Sequence, residues 1–358
     1  MYLIMAKVVY LLGAGASRGR RFSDKENFTI DPTISKNDII EGLPVVTEIP
    51  ERLQYVIDIL ENTTIEDDKN KVICYSPAID VISGLQDIIK GLKWLKDESQ
   101  AHATIDTFAK KLYLKKQFED FDKVKKLLAI YFTFEQIINK TDSRYDTFLA
   151  NVLDEQISIP SEICIVTWNY DSFLELAFKE YVDEVKYPCD VGCCSINDGN
   201  IDYSKVHTFK VNGAASFDKW FSIAKVTSQS STIIKDEILI DMISSYYKEK
   251  SLLCFAWEND IQESNSPFLS ALKSRIKEAK TLVVIGYTFP FFNRQTDRWL
   301  IKNMPGLETI YIQDPQADKL LQNIYSVIPP IKRETSGKFL ISVIPINNTD
   351  QFYLPPEL

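Results

Sequence analysis

The sequence predicts an α/β protein with a doubly wound parallel sheet and a large helical insertion. Short apolar runs that end in glycine or small polar residues occupy 8–12, 163–167 and 281–285, a pattern typical of buried parallel strands. Helical patterns alternate with the later runs, as expected when crossover helices connect parallel strands. Residues 78–150 contain few glycines or prolines and carry apolar stripes at helical spacing, which indicates a helical block after the first strand.

The length of the chain sets the domain organisation that we expect. A chain of 358 residues is long enough for two domains, or for one α/β domain with large insertions. We predict a discontinuous Rossmann-like core over 1–48 and 155–358, with a helical insertion over 49–154. A smaller irregular insertion is expected within this core, over 183–265.

Periodicity and turn residues predict the individual elements. Residues 18–41 are polar and aperiodic, which favours a long loop, whereas 49–61 carries apolar residues at helical spacing. After the strand at 163–167, Asp171 is placed to cap a helix over 172–181. The other predictions are a loop over 183–204, strands over 206–211, 251–257, 309–312 and 339–344, and helices over 233–247, 268–279, 297–303 and 317–325.

Charge and hydropathy argue against several kinds of partner. The net charge of -9 disfavours broad electrostatic binding to nucleic acid or to an anionic membrane. The lysines between Lys110 and Lys126 are interleaved with acids and aromatics, which is typical of solvated helix faces. No apolar stretch approaches the ~20 residues of a membrane span, and the short apolar N-terminus lacks a signal-peptide pattern. We therefore expect a cytoplasmic protein that binds neither nucleic acid nor membrane directly.

The cysteines and histidines do not form a metal-binding pattern. The six cysteines are Cys74, Cys164, Cys189, Cys193, Cys194 and Cys254. No second C-x-x-C pair completes a tetrahedral zinc site, and only His102 and His207 are present. We expect buried free thiols and no metal, which fits a reducing compartment.

Small or polar residues follow four of the predicted strands. If these strands are parallel, the segments converge on one crevice outside the carboxyl ends of the sheet. The candidate residues are Gly13, Ala14, Gly15, Ala16 and Ser17, then Thr167, Asn169 and Asp171, then Asn212, and finally Gly286, Tyr287 and Thr288. Glycines let backbone approach a ligand closely, and a helix N-terminus offers N–H groups to a phosphate. A glycine turn without any ligand is the alternative interpretation.

In this order the segments resemble the motifs of the sirtuin superfamily, in its divergent bacterial branch associated with defence. Residues 13–17 resemble the glycine-rich phosphate loop, and Gly42-Leu43-Pro44 resembles the glycine–proline step after the flexible cofactor loop. Residues 167–171 resemble the Thr-x-Asn-x-Asp motif, and 285–288 resemble the late Gly-x-Ser/Thr motif. Asp314 falls where the family often contacts the adenosine ribose. The resemblance does not cover the helical insertion.

The resemblance implies an NAD site. The turn from Gly15 to Ser17 would cradle the diphosphate, and Asn169 would contact the nicotinamide ribose or orient a water molecule. Pro44, Gly286, Tyr287, Thr288 and Asp314 would complete the cofactor site. For Asp171, the residues alone favour a helix cap over a ligand contact.

One departure from the family affects catalysis. The family places a histidine, its general base toward a ribose hydroxyl, where this chain has Asn212. A carboxamide cannot take up a proton near pH 7, and general-base catalysis typically contributes ~10²–10⁴-fold. His207 lies five residues earlier and would face the opposite side of the strand, so we do not expect it to substitute. His102 lies in the helical insertion.

A second departure concerns zinc. Deacylating sirtuins carry a four-cysteine zinc module after the histidine motif, whereas residues 214–262 contain only Cys254. This difference argues against protein deacylation and for the zinc-free members, which are more similar to NAD hydrolases.

Two functions are therefore open at this point. The first is an NAD glycohydrolase that forms ADP-ribose and nicotinamide in antiphage defence or stress. The second is a catalytically impaired nucleotide-sensing or scaffold subunit, in a homo-oligomer or a complex with a defence effector or ATPase. An ordinary Rossmann dehydrogenase fits less well, because no acidic residue follows the first strand at ~20 residues on a clear second strand.

Overall fold

A computed structural model describes eight stretches of the chain. They are residues 5–19, 41–63, 80–182, 192–196, 201–217, 236–258, 266–329 and 340–358. The predicted loop at 18–41 falls mostly outside these residues, as do Cys74 and Cys189. None of the described helices combines the length and apolar content that crossing a membrane requires.

Seven parallel strands form the central sheet. The described residues contain nine strands in all, seven in this sheet and two in a separate pair. In chain order they are β1 (Val8–Leu12), β2 (Ile163–Thr167), β3 (Cys193–Ser195), β4 (Thr208–Lys210), β5 (Gly213–Phe217), β6 (Ser251–Leu253), β7 (Thr281–Ile285), β8 (Thr309–Gln313) and β9 (Ser342–Ile346). The order across the sheet is β3-β4-β2-β1-β7-β8-β9, and β5 and β6 form a separate antiparallel pair. Every strand pair within the large sheet is parallel, which confirms the predicted fold class.

Ten helices are present in the described residues. They are α1 (Ile49–Glu61), α2 (Val81–Ala101), α3 (Ile105–Leu114), α4 (Phe118–Ile138), α5 (Ser143–Val152), α6 (Phe173–Lys179), α7 (Asp236–Lys248), α8 (Pro267–Ile276), α9 (Arg294–Lys302) and α10 (Ala317–Val327). The helices α1 to α7 contribute to one apolar core, and α8 to α10 contribute to the other. The sheet is therefore covered on both faces, as in other doubly wound folds.

The central strand β1 shows why its sequence is apolar throughout. Val8, Tyr10 and Leu12 belong to the core formed with α1 to α7, whereas Val9 and Leu11 belong to the core formed with α8 to α10. Because successive side chains of a strand point to opposite faces, a strand covered on both sides has no solvent-facing position. All five residues of β1 are buried.

The helical insertion packs on the sheet instead of forming a separate core. Five helices, α1 to α5, lie between β1 and β2, and α4 is central among them. The α4 residues from Leu127 to Ile138 are all buried, and α4 contacts both β5 and β6. Side chains of Asp80, Thr104 and Asp142 accept hydrogen bonds from the first turns of α2, α3 and α5 and so fix where these helices begin. The boundaries of the predicted domains remain a prediction.

Two sequence predictions about strands were wrong. The stretch 183–204 was expected to be a loop, but it contains β3, and the strand expected over 251–257 ends at Leu253. The strand β5 had not been predicted. The strands β3 and β6 have only three residues each, which is too short for a period-two pattern to be recognised.

The glycine turns after β1 and β7 are in direct backbone contact. A Cβ on Gly13 would lie 2.6 Å from the carbonyl oxygen of Gly286, and one on Gly15 would lie 2.7 Å from its Cα. Gly286 has a φ of +59°, and a Cβ there would overlap the backbone of Gly15 and Ala16. The two turns can therefore meet only because all three residues are glycine.

Replacing Gly286 by alanine is expected to destabilise the protein by at least about 2 kcal/mol. The added methyl group would have both a strained φ and an overlap with neighbouring backbone. Equilibrium unfolding in urea measures the effect. Gly306→Ala is the matched control, because a Cβ at Gly306 would meet only the Ala279 carbonyl oxygen at 3.7 Å. Equal losses from the two variants would contradict this account of the turn.

Candidate functional site

The order of the strands locates a crevice beside β1. On one side of β1 lie β2, β4 and β3, with the chain passing from β2 to the edge strand β3 and back to β4, and the later strands β7, β8 and β9 lie on the other side of β1. In open α/β sheets, ligands bind at such a reversal, outside the carboxyl ends of the strands. The segments after β1, β2, β4 and β7, which the sequence singled out, all lie at this edge. The parallel course of these four strands is therefore confirmed, and their use as one ligand site stays a prediction.

The glycine turn after β1 uses most of its amides within the fold. The N–H of Gly15 donates to the Gly286 carbonyl at 2.9 Å, that of Ala16 donates to Gly13 at 2.9 Å, and that of Ser17 donates to Ala14 at 3.2 Å. Ala14 is exposed, and its N–H has no partner among the described residues. In this arrangement the backbone N–H of Ala14, rather than those from Gly15 to Ser17, could donate a hydrogen bond to a phosphate.

Asn169 connects the end of β2 to this turn. Its Nδ2 donates to the Gly13 carbonyl at 2.9 Å and to the Ser17 Oγ at 3.0 Å, and Ser17 Oγ lies 2.8 Å from the hydroxyl of Tyr145 on α5. Thr167 Oγ1 accepts from the Asn169 backbone N–H at 3.0 Å and shapes the turn. Because both N–H bonds of the amide are directed at the turn, its Oδ1 is left as the acceptor.

Asp171 fixes the start of α6. Its Oδ1 accepts a hydrogen bond from the Phe173 N–H at 3.0 Å, although the N-cap residue of α6 is Ser172, one position after the cap that the sequence favoured. Burial raises the pKa of Asp171, and the nearby Lys210 ammonium opposes this effect. Asp171 also interacts with the side chain of Ser17, so it belongs to the same polar cluster as Asn169.

Asn212 lies at the end of β4, next to the turn that carries Asn169. Its Nδ2 donates to the Trp168 carbonyl at 3.2 Å, and its Oδ1 is buried with no hydrogen-bond partner. The residue is 8% exposed, which places a nearly buried, unsatisfied acceptor at the crevice. An acceptor of this kind costs free energy unless a donor reaches it, so it indicates a ligand or a water molecule.

A buried ion pair lies beneath these turns. Lys210, the last residue of β4, is 1% exposed and pairs with Glu175 of α6 at 2.5 Å. Its ammonium also donates to the Asp171 carbonyl and to Ser172 Oγ. Burial alone would lower the pKa of Lys210, but Glu175, Cys193 and Asp171 together hold the pKa above its ordinary value. The sequence analysis missed Lys210 and Glu175, although a lysine at the end of a buried strand was an available signal.

Arg144 of α5 braces the other side of the glycine turn. It donates to the carbonyls of Gly15 at 3.2 Å and Ala16 at 3.0 Å, and pairs with Asp142 at 2.5 Å. Its guanidinium also lies 5.2 Å from the ring centroid of Phe352, in the C-terminal segment. The helical insertion and the C-terminal segment therefore both stabilise the turn.

The segment after β7 is dominated by a buried aromatic stack. Tyr287 stacks on Trp168 with 5.7 Å between ring centroids, and its hydroxyl lies 3.0 Å from both carboxyl oxygens of Asp297. Burial raises the pKa of Asp297 well above its usual range, and the hydrogen bond from Tyr287 opposes this effect. The side chain of Tyr287 is thus committed to the fold, whereas Thr288 is exposed.

Two further predicted residues lie at the rim of the site. Asp314 follows β8 and accepts from the Gln316 N–H at 2.8 Å through Oδ1. Pro44 is buried beside Leu43, whose N–H donates to the Ser17 carbonyl at 2.6 Å. The glycine–proline step therefore packs directly against the end of the glycine turn.

The histidines lie away from the crevice, whereas two cysteines lie close to it. The Cys254 N–H donates to the Asn212 carbonyl at 2.7 Å, and the Cys193 thiol donates to Glu175 Oε1 at 3.4 Å. His207 precedes β4 at the opposite edge of the sheet, where its Nδ1 is 2.9 Å from Arg275, and His102 ends α2. The four described cysteines are buried thiols outside any disulfide, and the described residues hold no cluster that could bind a metal ion.

The fold and the crevice define a Rossmann-like α/β protein with a polar site at its topological switch point. Compared with known proteins, the chain matches neither a protein-family model nor a curated protein sequence. The resemblance to sirtuins therefore depends on the sequence motifs and stays a prediction.

Replacing Lys210 by methionine is expected to cost about 3–5 kcal/mol of stability, because Glu175 would be left buried without its partner. The double variant Lys210→Met/Glu175→Leu is expected to recover most of this loss, since an apolar pair leaves no isolated charge. Urea unfolding measures both values. Lys280→Met is the control: it breaks an exposed pair with Glu308 and should cost less than about 1 kcal/mol. A single variant as stable as this control would rule out the buried pair.

Acidification is expected to weaken the fold through His207. Burial and the adjacent Arg275 lower the pKa of His207 from 6.5 to about 4. Below pH 6.5 the unfolded chain therefore binds more protons at this residue, so its contribution to stability is lost as the pH falls toward 4. The free energy of unfolding of the wild type and of His207→Gln, measured between pH 7 and pH 4, isolates this contribution. Parallel pH profiles for the two proteins would contradict it.

Proposed function

We propose that the crevice binds NAD and that the protein hydrolyses it slowly to ADP-ribose and nicotinamide. The observation that carries the proposal is the meeting of Ser17, Asn169 and Asn212 at one edge of the sheet, with the Asn212 oxygen buried and unsatisfied. Sugar hydroxyls and the nicotinamide carboxamide are donors that such an acceptor would bind. Antiphage defence or stress, which the motif resemblance implies, is part of the proposal as the cellular setting.

Hydrolysis of the nicotinamide–ribose bond can proceed with substrate binding and electrostatic stabilisation as the protein's main contributions. The bond between ribose C1′ and the nicotinamide nitrogen breaks, and its electron pair neutralises the pyridinium ring, so nicotinamide leaves uncharged. Water then adds to the oxocarbenium-like C1′ and releases one proton to solvent. The amide oxygens of Asn169 and Asn212 carry partial negative charge, and at the crevice they would stabilise the positive charge that develops on the ribose.

Slow turnover follows from the groups at the end of β4. An amide at position 212 holds a hydroxyl in place without accepting its proton, which forgoes the ~10²–10⁴-fold that a general base supplies. Asp171 is the nearest carboxyl in the cluster, but its Oδ1 is used by the first turn of α6.

A second candidate is a nucleotide-sensing subunit that binds without turnover and acts through an assembly. The helical insertion exposes Leu114 and Phe118 where α3 leads into α4, at 68% and 55% of their surfaces. Exposed apolar side chains that are adjacent in this way favour a contact with another protein chain, either a second copy or an effector.

Addition of NAD is expected to raise the melting temperature and to release nicotinamide at a low rate. Asn212→Ala should weaken NAD binding by about 2- to 12-fold through the loss of one hydrogen bond, and Asn212→His should raise the rate by about 10²-fold or more. Thermal melting and chromatographic detection of nicotinamide, both at high protein concentration, measure these effects.

Asn151→Ala is the matched control, because Asn151 is exposed on α5 and donates only to the Thr147 carbonyl. Binding without nicotinamide release, even from Asn212→His, would favour the sensing subunit. Unchanged melting with NAD together with no release would refute both functions.

A further inference from the structure

The segment between β7 and α9 exposes two neighbouring aromatic side chains. Phe291 is 72% exposed, more than any other large hydrophobic residue in the described part of the chain, and Phe292 is 40% exposed. Single exposed apolar residues are common on protein surfaces and need no explanation. Here two adjacent rings follow the strand that borders the crevice, and the backbone before them is unusual.

The backbone before the two rings is held in a rare conformation. Phe289 has a φ of +55°, a value that bulky residues seldom adopt, and its side chain is buried against Tyr287 with 4.9 Å between ring centroids. Strained backbone of this kind persists where the surroundings impose it, and it concentrates at ligand-binding sites. The packing of Phe289 therefore fixes the course of the turn that places Phe291 at the surface.

Arg294 adds a second unusual feature beside Phe291. Its guanidinium carbon lies 4.9 Å from the centre of the Phe291 ring, and its Nε is buried without a hydrogen-bond partner. Among the described residues Arg294 forms no ion pair within 4.0 Å, but its charge acts on the buried carboxyl of Asp297, whose pKa it lowers. The guanidinium of Arg294 thus lies over the exposed Phe291 ring and carries a charge that no ion pair within 4.0 Å in the described residues neutralises.

The location of this pair relates it to the crevice. The strand β7 lies between β1, which carries the glycine turn, and β8, which is followed by Asp314. The turn is tied to α10, because Asn323 Nδ2 donates to the Thr288 carbonyl at 3.0 Å. Phe291 and Arg294 therefore belong to the β7 side of the site, whereas Asn169 and Asn212 belong to the β2 and β4 side.

We infer that Phe291 and Arg294 form a stacking platform for the purine base of the bound nucleotide. A flat base would stack on the exposed Phe291 ring. The positive charge of Arg294 would face the π-electrons of the stacked rings or an adjacent phosphate. The inference rests on the proposed NAD site and adds to it the part of the protein that recognises the adenine half.

A comparison of three ligands distinguishes residues that contact the adenine half of NAD from residues that contact the nicotinamide half. Binding of NAD, AMP and nicotinamide mononucleotide to the full chain is measured by calorimetric titration. Phe291→Ala is expected to weaken NAD and AMP by about 5- to 150-fold, the range found for base–aromatic stacking, and to leave the mononucleotide unchanged. Phe291→Tyr should retain the wild-type affinities, whereas Phe291→Leu should not, because leucine keeps apolar area but has no aromatic face.

Phe118→Ala is the control for the loss of an exposed phenylalanine, since Phe118 lies on the helical insertion and is 55% exposed. Equal affinity of the wild type and Phe291→Ala for AMP, or an equal loss for all three ligands, would overturn the platform while leaving the NAD site intact. A wild-type protein that binds none of the three ligands would overturn both proposals. Melting curves for each variant show whether the fold is retained.

Discussion

The contact between the two glycine turns determines the geometry of the whole crevice. Gly13 and Gly15 donate to the carbonyls of Ile285 and Gly286, at 3.0 and 2.9 Å, so two crossing segments are joined by backbone alone. Such a junction leaves no space for a Cβ and no freedom for either turn to shift separately. The relative positions of the β1 and β7 ends, and of everything attached to them, follow from this constraint.

The helical insertion is part of the construction of the site. Tyr145 and Arg144 of α5 contact the glycine turn, and Gln136 of α4 accepts a hydrogen bond from the Ser172 N–H at 2.7 Å. A buried bidentate pair between Arg52 of α1 and Glu135 joins the insertion's own helices. Because insertion and sheet share one apolar core, movement of the insertion would be transmitted to the turn. A partner that binds the insertion could in this way affect the crevice.

The sequence was sufficient for the fold class and for the longer strands β1, β2, β7 and β8, but not for β3 and β5. Each depends on local patterns, such as the apolar run of β1 and the polar residues that follow it. The pairing of Lys210 with Glu175 and the bracing by Arg144 could not be predicted, because they join residues brought together only by the fold. The hydrogen bond from the Gly15 N–H to the Gly286 carbonyl could not be predicted either, because it depends on the position of β7 beside β1.

The charged groups differ between the two sides of the crevice. On the β2 and β4 side, Lys210 is neutralised by Glu175, and Asn169 and Asn212 are uncharged, so this side suits the hydroxyls of a sugar better than phosphate. On the β1 side, Arg144 is paired with Asp142. Arg294 forms no ion pair within 4.0 Å among the described residues, although its charge also acts on Asp297, so it places positive charge on the β7 side. In a protein with a net charge of -9, the doubly charged diphosphate of the proposed NAD would be attracted to this cation, so the diphosphate and adenosine would lie toward β7 and the nicotinamide ribose toward β4.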